Sequence, residues 1–267
     1  MSRFVVLLLA LVAGVGAAIW YYRSPEAGSA AIRVARPSVR FLDDLTSQNP
    51  RDVERGTAEV QQLGTSALPA IRATLQDDGA PQERRRAALK ACAILGPSAA
   101  EAIPDIIALL QDPEYAPEAA LAASFMGSLT VVPLEQAFHN SDDGVVRREA
   151  LRSIGKLRER ASIDPQLVLP LLFEGLADPD PSVREIAVTY LGIVRDDPTH
   201  AVPALAKALD DEDAGVRRAA AVALGAYGAL AQGAVPALRK AMRDPDEDVR
   251  REAGRALVLI SEGTKGG

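Results

Sequence analysis

Four stretches of this chain repeat one phrase: NSDDGVVRREALRSIG, DPDPSVREIAVTYLG, DEDAGVRRAAAVALG and DPDEDVRREAGRAL. In each, an acid stands three places before a Val and an Arg directly after it. The Val falls at Val146, Val183, Val216 and Val249, at spacings of 37, 33 and 33 residues. A period of that length marks a repeat architecture, in which one unit cannot bury its apolar face except against its neighbours.

Each unit reads as two helices. Ten residues before each acid lies a proline, Pro133, Pro170, Pro203 or Pro236, which suits a first helical position because its missing N–H would be unpaired there anyway. Apolar residues two and six places later, such as Leu205 and Leu209, form one face of that helix. The second helix is expected to be capped by Asp143, Asp180, Asp213 and Asp246, whose carboxylates accept from free N–H groups at the positive end of the dipole. Its buried face runs through Val216, Ala220, Ala223 and Leu224 and their equivalents. Nine residues after the Val come Gly155, Gly192 and Gly225, with Val258 in the last copy. Helical glycine costs about 1 kcal/mol against alanine, so its recurrence suggests a close helix contact. Pro69 and Pro104, followed by Gly96 and Gly127, extend the series backwards. A degenerate first copy keeps Asp52 and Gly64 at the same separation. The expectation is an all-α solenoid of about seven hairpins over residues 37–262, with a flexible tail at 263–267.

These units resemble HEAT repeats of the short, phycobilisome-lyase-like type, whose pattern is close to LxxLLxDxDxxVRxxAxxALGxIG. The stretch AVPALAKALDDEDAGVRRAAAVALGAYG, 201–228, matches almost throughout. The last four units are strong; the second lacks the Asp-Val-Arg and is five residues longer between Pro69 and Gly96. The resemblance implies an Asp–Arg ladder between neighbours, with Arg147, Arg184, Arg217 and Arg250 as its basic members. It specifies fold well and function poorly. Deoxyhypusine hydroxylase shares these repeats and holds two irons through His-Glu pairs, but this chain has no His-Glu dipeptide. The phycobilin lyases act on tetrapyrrole–cysteine linkages, and nothing here singles out a chromophore pocket. An enzyme or enzyme subunit of lyase-like or oxidoreductase type stands as the alternative reading.

Composition agrees with thin helical layers. The chain is 48% hydrophobic yet only 4% aromatic, and rich in Ala and Leu. One Cys and two His leave no intramolecular disulfide and no multi-cysteine zinc site, and no metal or other cofactor is expected. A formal charge of −6 speaks against a nucleic-acid binder.

The N-terminus is a separate object. Residues 4–22, FVVLLLALVAGVGAAIWYY, carry no charge and stand between Arg3 and Arg23. As a helix they reach roughly 28 Å, about the hydrocarbon thickness of a bilayer. Residues 1–22 are therefore read as a hydrophobic helix anchoring the chain in a membrane, 23–36 as a linker, and the repeats as lying outside the cytoplasm. The alternative is secretion after cleavage of a signal peptide.

No nucleophile elbow, phosphate loop or paired catalytic carboxylates occur, and the reading is a non-enzymatic scaffold that binds protein partners through a concave surface. Two and six places beyond the Val stand Arg148 and Arg152, Glu185 and Thr189, Arg218 and Val222, Arg251 and Arg255. Five Arg against one Glu form a basic stripe in a region with 26 basic and 35 acidic residues after residue 36. Such a stripe would steer an acidic protein segment. His139 is expected to face out beside an inward Phe138, His200 to lie in a solvated loop, and Cys92 to be a small core residue. Oligomeric state is left open.

Overall fold

The computed structural model describes residues 39–160 and 163–263. The anchor at 1–22, the linker at 23–36 and residues 264–267 of the expected tail lie outside them. Among the described residues fourteen α-helices form seven hairpins. These are α1 (Arg40–Leu45) with α2 (Pro50–Leu63), α3 (Leu68–Leu75) with α4 (Gln82–Leu95), and α5 (Ile103–Ala108) with α6 (Ala116–Ala123). There follow α7 (Val131–Asn140) with α8 (Gly144–Arg160), α9 (Leu169–Gly175) with α10 (Pro181–Val194), α11 (Pro198–Ala208) with α12 (Ala214–Tyr227), and α13 (Val235–Ala241) with α14 (Glu247–Gly263). The seven units fall where the repeat places them.

From α4 onward each second helix packs on the second helix of the next unit, while successive first helices touch far less. The closely spaced layer of a curved stack is its inner side, so the second helices line the concave face. A single core runs the length of the stack, one layer per unit: Val146, Val183, Val216 and Val249 are all buried in it, as are Ala220, Ala223 and Leu224. Leu205 and Leu209 meet them from the first helix of their unit.

Glycine serves two distinct purposes, which the repeat spacing alone merges. Gly155, Gly192 and Gly225 lie inside second helices, against the next unit. A Cβ on Gly192 would stand 2.8 Å from the Ala223 Cα, and one on Gly225 3.2 Å from the Ala256 Cα; the ring of Tyr190 covers Gly155. Gly64, Gly96 and Gly228 instead end their helices, with φ of 53°, 55° and 54° and ψ of −133° in each. That region is essentially closed to residues with a Cβ. Gly64 and Gly96 are thus equivalents of Gly228, not of Gly225. With that shift of three, the cap of α2 is Asn49, whose side chain accepts from the Arg51 N–H, and not Asp52. Gly127 (φ 71°) likewise lies beyond α6.

The prolines also need one correction. Pro69, Pro104, Pro170 and Pro236 are second residues of their helices and Pro133 the third, but Pro203 lies inside α11. That helix begins at Pro198 because Asp197 caps it, its carboxylate accepting from the His200 N–H. Two stretches, Gln82–Gln111 and Ala214–Ala241, are long and apolar enough to match a membrane span by composition. Each breaks at a glycine turn, Gly96 or Gly228, and contributes helices from two successive units of the stack.

Candidate functional site

The caps form as expected. Asp143 accepts from the Val145 N–H at 2.8 Å, Asp180 from Ser182 at 2.8 Å, Asp213 from Val216 at 3.1 Å and Asp246 from Val249 at 3.0 Å. The ladder uses different acids. Arg147 donates Nε and Nη2 to Asp178, Arg184 to Asp211 and Arg217 to Asp244, all six bonds at 2.8–2.9 Å. Each of these acids stands two residues before the next unit's cap, and its other role is to accept that cap residue's N–H. The cap aspartates are therefore not the acidic rungs. Nη1 of each Arg reaches a carbonyl of its own unit's turn: Ser141, Asp178 or Asp211.

Such bidentate, charge-assisted pairs are among the stronger polar contacts. The side chains are 14% and 5% exposed for Arg147 and Asp178, and 12% and 8% for Arg217 and Asp244. Arg217 holds the Asp244 carboxyl below its ordinary range. For Asp211, burial pushes the pKa up, but hydrogen bonds from Arg184 and the Asp213 N–H outweigh it and the net shift is downward. Asp180 is lowered by hydrogen bonding to Ser182. Arg250 donates to the carbonyls of Asp244 and Pro245 and pairs with no acid among the described residues.

One rung escaped the sequence. Arg85 on α4 holds the ladder position, donating Nη2 to the Leu75 carbonyl and standing 4.8 Å over the buried Tyr115 ring. A cation–π contact there takes the place of the ion pair to the next unit, and Nη2 also lies 3.3 Å from Asp78 of its own unit. The helix α6 carries no Arg, and Ser141 stands where the next acid would be. The missing pair is absent on both sides.

The predicted basic stripe does occupy the second helices, and every member meets a carboxylate. Arg148 Nε lies 2.9 Å from Glu149, Arg152 Nε 3.5 Å from the same buried Glu149, and Arg218 3.2 Å from Glu185. Arg251 pairs with Asp248 and Glu252, and Arg255 with Glu252. The stripe is a chain of ion pairs rather than a bare positive surface. Beside it run exposed apolar side chains, which spacing of four places in line with it: Phe125 (43% exposed), Ile193 (42%), Val222 (50%) and Leu259 (50%). Phe125 borders a groove of about 530 Å³ between α4 and α6, lined also by Ala93, Ile94 and Leu121, with Arg86, Lys90, Glu83 and Glu118 at its edge.

The remaining candidates are structural. Phe138 is buried and His139 exposed, with Nε2 3.0 Å from Glu174. His200 sits in the first turn of α11, not in a loop, with Nδ1 2.7 Å from Asp197. Cys92 is fully buried, and burial pushes its thiol up to about 12, far from a reactive thiolate. Among the described residues no three His, Cys, Asp or Glu side chains are grouped to hold a metal.

Comparisons with known proteins agree with this geometry. The family described as HEAT repeats matches residues 131–224 and 169–258, and the PBS lyase HEAT-like repeat matches 84–112. The chain is a HEAT-repeat protein of the lyase-like type. Among solved structures, Kap95p in complex with RanGDP aligns over 85% of this chain at 13% identity, with a TM-score of 0.66. Importin beta aligns over 85% at 15% identity, with a TM-score of 0.61. This chain spans 34% of the length of each of those two chains. The complex of CpcE and CpcF of phycocyanin lyase from Nostoc sp. PCC7120 aligns over 59% of this chain and 98% of that one, at 24% identity and a TM-score of 0.51. At these identities the likeness is one of fold. No curated protein matches.

Proposed function

We propose that the chain is a scaffold that performs no chemistry of its own. It binds a protein partner along the face of its second helices, and residues 4–22 anchor it in a membrane with the repeats on the extracytoplasmic side. The observation that carries the binding reading is the recurrence of an exposed apolar side chain on α10, α12 and α14, Ile193, Val222 and Leu259, beside arginines already balanced by carboxylates. Other exposed apolar side chains, such as Val132, Leu167, Leu230 and Met242, stand at differing positions of their units. Ile193 and Leu259 instead recur at one position, with Val222 one turn before it, and an apolar row rimmed by charge is the composition of a docking surface. The importin-like fold supports this reading, since Kap95p is seen there bound to a protein, RanGDP. The anchor reading rests on the uncharged run 4–22 in the sequence.

The test uses the full chain in its own membranes. Carbonate washing should leave it in the membrane pellet; release, or a mature N-terminus beyond residue 22, overturns the anchor. Reversing Arg218 and Arg251 to Glu together, in a variant with an unchanged melting curve, should reduce capture of the wild-type chain's partner. Unchanged capture removes the C-terminal stripe from the docking surface.

A further inference from the structure

The centre of this face carries charge that the repeat does not require. On α8 every fourth residue from 148 to 160 is a cation: Arg148, Arg152, Lys156 and Arg160. Spacing of four aligns them in one row, where like charges destabilise a helix. Glu149 pairs with the first two, yet its Oε2 and the Arg152 Nε make no hydrogen bond. Lys156 and Arg160 have no ion pair among the described residues. Burial pushes the Lys156 ammonium's pKa down; Arg152 and Arg160 add to that shift, and Glu149 and Glu159 oppose it.

The row runs to the apolar groove. Arg160 stands 4.0 Å over the ring of Phe125 and donates Nη1 to the Ser124 hydroxyl at 2.8 Å. Phe125 and Leu121 form one wall of the groove, and Ala93 and Ile94 line it from α4. At that edge Arg86 is engaged by Glu83, Glu114 and Glu118, while Lys90 has no ion pair among the described residues. An apolar trough thus lies with Lys156 and Arg160 toward one side and, on the other, Lys90 beside the paired Arg86, Glu83 and Glu118, which also line it.

We infer that this groove receives a partner's peptide segment in which one bulky apolar side chain is flanked by carboxylates. The apolar side chain fills the space against Leu121, Phe125 and Ile94, and the carboxylates meet Lys156 and Arg160 on one side and Lys90 on the other. Charge complementarity selects this occupant. Residues 1–38 of the chain itself could reach by length, but carry Arg3, Arg23, Arg33 and Arg36 against Glu26 alone. The inference rests on the second-helix face being a docking surface, and places its specific subsite at α4, α6 and α8 rather than at α12 and α14.

The experiment is fluorescence anisotropy on the full chain in zwitterionic detergent. The probe is a labelled synthetic peptide with one phenylalanine flanked by glutamates, set against versions with alanine for phenylalanine and glutamine for glutamate. Saturable binding of the first peptide is expected. It should weaken roughly tenfold or more for either altered peptide and for the double variant Lys156→Glu, Arg160→Glu. Lys156→Arg should retain it, Leu121→Gln should weaken it, and Lys207→Glu on the first-helix face should leave it unchanged; thermal melts confirm that each variant folds. Equal binding of all three peptides overturns the inference, as does stronger capture by anionic than by zwitterionic vesicles. So does a monomer–dimer equilibrium abolished by Leu121→Gln. Loss with Arg251→Glu but not with Lys156→Glu, Arg160→Glu moves the site to the C-terminal stripe and leaves the docking reading standing. Binding that no inner-face variant alters removes both.

Discussion

Units four to seven and units one to three use the same hairpin but are joined differently. In the C-terminal half, α8, α10, α12 and α14 are long helices, closely packed through Gly155, Gly192 and Gly225 and tied by the rungs Arg147–Asp178, Arg184–Asp211 and Arg217–Asp244. In the N-terminal half the ladder position is filled by Arg85 over Tyr115, and units two and three are also joined through their first helices by Arg72 and Asp105, 2.6 Å apart. There α6 has 8 residues against 14 in α4 and α10. Shortening α6 leaves Leu121 and Phe125 partly uncovered beside α4, and the groove is the result. The regular half is therefore the more evenly tied, while departure from the repeat supplies an apolar recess on the inner face.

The sharpest way to separate the halves is acid. Asp180, Asp211 and Asp244 are held below the ordinary carboxylate range in the folded chain. A depressed folded pKa gives stability that is fully present above the unfolded value, near 3.9, and lost as pH falls through the folded value. Hydrogen exchange on lowering the pH from 5 toward 2, roughly the window these directions define, should show α8–α14 losing protection steeply. The α3–α6 region, whose ladder position holds a cation–π contact beside the Arg72–Asp105 pair, should lose less. Equal loss in both halves breaks the comparison.

Removing one rung should come next in size. Asp178→Ala leaves Arg147 half-buried without its acid and should cost about 3 kcal/mol in urea unfolding. The corresponding Tyr115→Leu should cost about 1 kcal/mol through the cation–π contact, beyond the packing lost. A double-mutant cycle between Arg147 and Asp178 should be non-additive; additive effects would remove the ladder. Gly192→Ala should cost about 2 kcal/mol, because the new Cβ meets backbone and the second helices must separate. Gly228→Ala, at a backbone conformation with room around it but barred to a Cβ, should cost about 1–2 kcal/mol. If Gly228→Ala proved neutral, the division of the glycines into two kinds would fail.

Much of this was legible in the sequence. The Val-to-Val period, the four cap aspartates and the prolines placed seven hairpins, because capping and apolar burial are local and repeat in register. The rungs were not placed correctly, because Asp178, Asp211 and Asp244 stand two residues from the caps and spacing cannot say which acid an Arg from the previous unit will reach. The paired acids in DPD, DED and DPD were the signal that could have found them. Arg85 was missed because no Asp or Val marks its unit; it keeps only its distance from Gly96, four residues beyond the cap position as in the regular units. Arg148, Arg152, Arg218, Arg251 and Arg255 stand on the second helices as the spacing places them, but their neutralisation by Glu149, Glu185, Asp248 and Glu252 depends on side-chain reach, partly between helices. The groove had no sequence signal apart from the missing Asp-Val-Arg in the second unit.

The most direct test of the central claim is site-specific photo-crosslinking of the full chain in its native membranes. A photoreactive side chain is placed at Leu121 or Val222 on the second helices, or at the exposed Lys207 or Arg239 on the first helices. Protein adducts from Leu121 and Val222, and none from Lys207 or Arg239, are the predicted result. Adducts from the first-helix positions alone would contradict it.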